Sequence, residues 1–148
     1  MNCDKKCHGI HEYVGIQLIE AARYDKKEKV QELLYINVNP NFHDKNGNTA
    51  LIWASRMGYL NMVNRLLDHK EIDVNLQDKG GDTALINSSL DGHLDVVNRL
   101  LDCKEIEVKA QDENGMTALM WALCHGHLDI VNRLLDYKEI DVNLQNNY

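Results

Sequence analysis

The tripeptide Thr-Ala-Leu recurs at Thr49, Thr83 and Thr117, so the chain returns to the same local sequence every 34 residues. Val-Asn-Arg-Leu-Leu-Asp recurs with the same period at residues 63–68, 97–102 and 131–136, and Lys-Glu-Ile at Lys70, Lys104 and Lys138. A fixed period of this length is the mark of a solenoid. Each unit is too small to enclose a core of its own and buries its apolar face only against its neighbours.

The interior of a unit sets the kind of solenoid. Leu51, Ile52 and Ala54, then Leu60, Val63, Leu66 and Leu67, recur at helical spacing, which predicts short helices over 51–57 and 60–67. Gly58 between them suits the left-handed conformation that ends a first helix. Helices of about two turns are marginal alone in water. The next stretch, Ile72-Asp-Val-Asn-Leu-Gln-Asp-Lys-Gly-Gly-Asp82, reads as a hairpin-like loop from its β-branched residues and its Asp/Gly cluster. A tetratricopeptide unit shares the period but would spend those residues on longer helices.

These features resemble the ankyrin repeat family. The matching residues are Asp-x-x-Gly-x-Thr at 44–49, 78–83 and 112–117, Gly-His-Leu at Gly92 and Gly126 (Gly-Tyr-Leu at Gly58), and Asp-Val-Asn at Asp73 and Asp141. A divergent first unit aligns with a shift of 33, setting Leu18 on Leu51, Ala21 on Ala54 and Val30 on Val63. The resemblance implies an all-α solenoid of stacked helix pairs joined by β-hairpin-like loops. Its expected layout is a flexible tail over 1–14, then one repeat domain over 15–148, with units near 15–47, 48–81, 82–115 and 116–148. The family's usual Thr-Pro-Leu-His is here Thr-Ala-Leu followed by Ile52, Ile86 or Met120, so both the helix-starting proline and the histidine that usually bonds between repeats are missing. More apolar packing is expected to compensate. Lys-Glu-Ile replaces the glycine that usually caps the second helix and is one residue longer, which accounts for a period of 34.

Bulk properties narrow the function classes. A formal charge of −7 disfavours nucleic-acid binding, which usually calls for a basic stripe. No apolar run approaches the roughly 20 residues that cross a bilayer, and the N-terminal segment has no signal-like apolar stretch. Cys3, Cys7, Cys103 and Cys124 form no evident disulfide framework, so a reducing, cytoplasmic setting is expected, a host cytoplasm if the chain comes from a pathogen. No Gly-rich phosphate loop, metal-binding helix or nucleophile–base pair is present, so an enzyme is not expected and no cofactor is implied. Cys3, Cys7, His8 and His11 are possible zinc donors, but four ligands within nine residues would force a cramped loop. The segment is read as tail, with no metal.

Where the units differ is more informative for binding. In this family partners usually lie against the loop tips and the concave face of the first helices. Helical spacing places Trp53, Arg56 and Met57 on one face, with equivalents Glu20, Arg23 and Tyr24, then Asn87, Leu90 and Asp91, then Trp121, Cys124 and His125. These positions diverge while the second helices repeat almost verbatim. The loop tips diverge too, at Lys45, Asn46 and Asn48, at Lys79, Gly80 and Asp82, and at Glu113, Asn114 and Met116. Arg23, Lys45, Arg56 and Lys79 come early, and Asp82, Asp91 and Glu113 come late, so the surface runs from basic to acidic. The expected contact set is Arg23, Tyr24, Lys45, Asn46, Trp53, Arg56, Met57, Lys79, Asp82, Leu90, Asp91, Glu113, Trp121 and His125. Its expected occupant is an extended or helical protein segment of opposite polarity. His93 and His127, in the Gly-His-Leu turns, and the loop asparagines Asn41, Asn75 and Asn143 are read as structural, although the resemblance makes Asn75 a conceivable hydroxylation substrate.

Terminal units of a repeat array need polar outer faces. The charged second helix of the first unit meets this need, whereas Leu128, Ile130, Val131, Leu134 and Leu135 copy an interior unit, which predicts weak self-association through an uncapped last repeat. The function expected is a non-enzymatic module that captures a protein. The alternatives are a stoichiometric inhibitor of a signalling enzyme such as a kinase, or an adaptor that recruits a target to other machinery.

Overall fold

The computed structural model describes residues 3–138 and 140–147, with side chains from Gly9 onward. Among the described residues there are eight α-helices in four pairs: α1 (Cys3–Arg23) and α2 (Lys27–Tyr35), α3 (Ala50–Arg56) and α4 (Leu60–Leu67), α5 (Ala84–Leu90) and α6 (Leu94–Leu101), α7 (Ala118–His125) and α8 (Leu128–Leu135). The first helices stack in the order α1, α3, α5, α7, and α4, α6 and α8 stack behind them. The core is one continuous column, from Leu18, Ala21 and Val30 through Leu51, Val63 and Leu66, Leu85, Val97 and Leu100, to Ala122, Ile130 and Leu134.

Local chemistry sets each boundary. Thr49, Thr83 and Thr117 sit in extended conformation before the first helices, and each hydroxyl accepts the N–H three residues on, from Ile52, Ile86 and Met120. A side-chain cap therefore does the starting where the family's proline is missing. Gly58, Gly92 and Gly126 are left-handed, as the spacing predicts. The lack of a side chain is used twice at Gly58 and Gly92: a Cβ there would press into the rings of His93 and His127 respectively. Those rings bond back across the junction, His93 Nε2 to the Arg56 carbonyl at 3.0 Å and His127 Nε2 to the Leu90 carbonyl at 3.1 Å. An inter-repeat histidine is thus present, at another position than the family's usual one.

The first unit closes differently from the rest. Asn37 is left-handed (φ 60°), the Val38 N–H reaches the Leu33 carbonyl, and the Asn37 N–H reaches that of Leu34. This is the paired-bond closure that a left-handed residue allows after a helix. In the later units the chain stays right-handed through Asp68, and a second turn follows in which the Ile72 N–H bonds the His69 carbonyl. That turn takes up the additional residue, so a shift of 33 becomes a period of 34.

The loops are tight hairpins. His43 and Thr49 form an isolated antiparallel bridge, and the N–H of Asp44, Asp78 and Asp112 bonds the carbonyl of Asn48, Asp82 and Met116. Neighbouring tips are laced by Lys79 N–H to the Asn46 carbonyl, Glu113 to Gly80 and Asn147 to Asn114, one backbone–backbone bond per junction. Asn41 and Asn75 add a second lacing: each donates its amide to the carbonyl of Glu71 or Glu105 and accepts from the N–H of Asp73 or Glu107.

The expected boundary at Gly15 is not marked in the backbone. Helix α1 runs through it without interruption, because Val14 continues the apolar spacing of Leu18 and packs on the core. Gly15 is buried against the Phe42 ring, which a Cβ would overlap. At the other end, Leu128 is 68% exposed and Val142 63%, although the equivalent Val108 is 3% exposed.

Candidate functional site

The first-helix positions that diverge between units form three rows along the stack. One row holds Glu20, Trp53, Asn87 and Trp121, the next Arg23, Arg56, Leu90 and Cys124, and the third Tyr24, Met57, Asp91 and His125. Tyr24, Met57, Asp91 and His125 are all exposed, as is Arg23, while Trp53, Arg56, Leu90 and Trp121 are half-buried. At the tips Lys45, Asn46, Lys79 and Glu113 are exposed and Asp82 is half-buried.

Both tryptophans are held by their own units. The Trp121 indole N–H donates to Asp112 at 3.0 Å and that of Trp53 to Asp44 at 3.4 Å. These two carboxylates also organise their loops: Asp44 accepts the N–H of Asn46 and Asn48, and Asp112 accepts those of Asn114 and Met116. Burial alone would raise the Asp44 pKa, but the backbone bonds from Asn48 and Asn46, with the Trp53 indole, outweigh it and hold the carboxyl below its ordinary value.

Arginines from two successive units meet at Trp53. The Arg23 guanidinium lies 4.3 Å from the indole centroid, reaching forward from the first unit, and that of Arg56 lies 5.6 Å away within the same unit. Both distances fall in the cation–π range. Arg23 also covers the Tyr24 ring at 5.5 Å. Arg56 reaches forward in turn, donating from Nε to Asn87 Oδ1 at 2.9 Å. Asn87, fully buried, donates its own amide to the Thr83 carbonyl. Asn87 was not in the expected contact set. The hint available in the sequence was the loss of an aromatic residue there, one unit ahead of an arginine.

Asp82 sits where the neighbouring units carry Asn48 and Met116. Burial, and then the charges of Asp78 and Asp112, push its pKa up to about 6, with Arg56 opposing and Glu113 adding a little. A shallow, open recess of about 510 Å³ lies over Arg56, Met57, Leu90, Asp91 and His93. At the far end His125 packs on Trp121 and stacks with His127, its ring centroid 5.6 Å and 6.2 Å from theirs. Cys103 lies behind the second helices, where burial raises its thiol pKa and Arg99 only partly offsets that. Among the described residues no group of three or more His, Cys, Asp or Glu side chains converges as a metal would need. His11 is exposed, and the side chains of Cys3, Cys7 and His8 fall outside the described residues.

A family model for ankyrin repeats in three copies matches the chain twice, over residues 18–112 and 70–146. The chain belongs to the ankyrin repeat family. The two matches overlap and together take in nearly all four helix pairs, so they agree with a count of about four repeats. Ankyrin repeats are general protein–protein interaction modules, and the family is typically non-catalytic. No curated protein matches the chain. Among the described residues, no helix of this ankyrin stack is long and apolar enough to cross a membrane.

Proposed function

We propose that this ankyrin-repeat chain is a non-enzymatic module that captures a protein segment along the three divergent first-helix rows and the adjacent loop tips. The supporting observation is that the residues differing from unit to unit, the buried Asn48, Asn87 and Met116 excepted, lie at least partly accessible on one strip, while the second helices repeat almost verbatim. Along the strip the basic Arg23, Lys45, Arg56 and Lys79 come first and the acidic Asp82, Asp91 and Glu113 later, with Arg56 beside Asp82 and Asp91 where the two sets meet. A segment of opposite polarity would be held in one direction. The unpaired Cys103 and Cys124 fit work in a reducing cytoplasm.

The test is capture from a cytosolic extract by wild type, by Arg56→Ala with Met57→Ala, and by Asp102→Ala with Asp136→Ala on the opposite side. Loss of capture is expected only for the first pair, compared at a temperature where all three are folded, because Arg56→Ala also leaves the buried Asn87 Oδ1 without its donor and lowers the melting temperature. Equal capture by all three refutes the reading. As a secondary reading, the exposed Leu128, Leu135 and Val142 favour weak contact between chains. Sedimentation should then depend on concentration for wild type and not for Leu128→Ser with Leu135→Ser; an ideal wild-type monomer retires it.

A further inference from the structure

Resting on that reading of the strip as the capture surface, we propose that the junction of the first two repeats, built from Arg23, Trp53 and Arg56, seats an acidic peptide segment whose carboxylates meet the two guanidinium groups while a following apolar side chain enters the recess beside Met57 and Leu90. Arg23 has one face on Trp53 and packs on Tyr24, so its planar edge and donors remain available, and among the described residues no hydrogen bond or ion pair engages them. Arg56 spends only Nε, on Asn87, which leaves its terminal nitrogens for a ligand. The Arg23 guanidinium is held over the Trp53 ring, and a guanidinium fork matches a carboxylate in two parallel bonds.

Charge and shape choose the occupant. Arg23 and Arg56 both lie within 5.6 Å of one indole centroid, a span that two acidic side chains on the same edge of an extended segment, two residues apart and about 7 Å, match. The recess of about 510 Å³ adjoins Arg56 and has Met57 and Leu90 as its apolar walls, so it takes an apolar side chain next in line. Asp82 and Asp91 lie close by. The two guanidinium groups call for acidic side chains, each carboxylate offering one of them a flat pair of oxygens.

The chain has two tryptophans, one at this junction and one in the fourth unit, so their indole N–H signals in a heteronuclear NMR spectrum report two places on the strip. The probes are short synthetic peptides carrying Glu-x-Glu followed by Leu, the same peptide with both Glu replaced by Gln, the same with phosphoserine at those positions, and a Lys version. The Glu peptide is expected to shift the Trp53 signal saturably and leave Trp121 in place, with at least tenfold weaker binding of the other three. Arg23→Gln with Arg56→Gln should lose at least tenfold for the Glu peptide. Arg56→Lys, which keeps the charge but loses the fork, should fall between. No shift at Trp53, a shift centred on Trp121, or tighter binding of the phosphoserine, Gln or Lys peptide overturns the proposal, and the wild-type titration decides this even if a variant fails to fold. If extract capture still depends on Arg56 and Met57 while the Glu peptide does not bind, the acidic-segment proposal alone fails. If capture is indifferent to those residues, the broader reading fails as well.

Discussion

Replacing Asp82 by Asn should stabilise the protein at neutral pH and do little in acid. Asp82 is half-buried among Asp78, Asp112 and Glu113, with Arg56 as its opposing charge, and its pKa is pushed up to about 6. A native-state value above the ordinary one means that the folded chain holds this proton more tightly than the unfolded chain does. The group's contribution is therefore most favourable below the unfolded value of 3.8 and is lost as the pH rises through about 6. The full displacement corresponds to about 3 kcal/mol. Solvent screening at a half-exposed carboxylate reduces that to about 1 kcal/mol, or a few degrees in melting temperature for a chain of this size. The equivalent Asn48 shows what the amide does in this frame, pointing Nδ2 at the Asp44 carboxylate at 3.4 and 3.5 Å, while its buried Oδ1 lacks a partner. The exchange thus removes a repulsion and adds a weak bond. Urea unfolding of wild type and Asp82→Asn, followed by far-UV circular dichroism from about pH 4 to pH 8, should show a difference that opens between the two values and then levels. A difference independent of pH, or a destabilised variant at neutral pH, would refute the reasoning.

Asp25 holds a left-handed conformation (φ 52°) at the position of Gly58, so Asp25→Gly should raise stability by about 0.5–1 kcal/mol, read as a higher urea midpoint. Leu100 and Leu134 are both fully buried, but the unit carrying Leu100 is flanked on both sides. Leu100→Ala should cost about 2–5 kcal/mol and Leu134→Ala less, checked by the same unfolding curves; equal costs would contradict nearest-neighbour stacking. Iodoacetamide followed by peptide mass spectrometry should label exposed Cys124 well before Cys103, whose thiol pKa is raised by burial.

The helices, the left-handed glycines and the hairpin loops were legible because each is encoded within one unit and written out repeatedly. The closure of the first unit was not, since Asn37 does the work of a glycine there, and only the backbone reveals that a single left-handed residue replaces a longer turn. Continuation of α1 through Gly15 escaped for a related reason: that stretch has no copy elsewhere in the chain to be compared with. At the strip, residue comparison picked out the divergent positions. It could not show that Trp53 and Trp121 are tied by their indoles to Asp44 and Asp112, or that His93 carries the inter-repeat bond, because such pairings depend on how far each side chain reaches across a junction.

That forward reach has an evolutionary consequence. Arg23 meets Trp53, and Arg56 meets Asn87, only because particular units are adjacent. Inserting a copy of a different unit between two such partners would keep that unit's helix cap and loop, yet separate the members of the pair and bring together residues that had never touched. In a chain that grows by duplication, a new surface therefore needs no new residue, only a new neighbour, and the fold tolerates the experiment because the backbone bond between loop tips recurs from unit to unit.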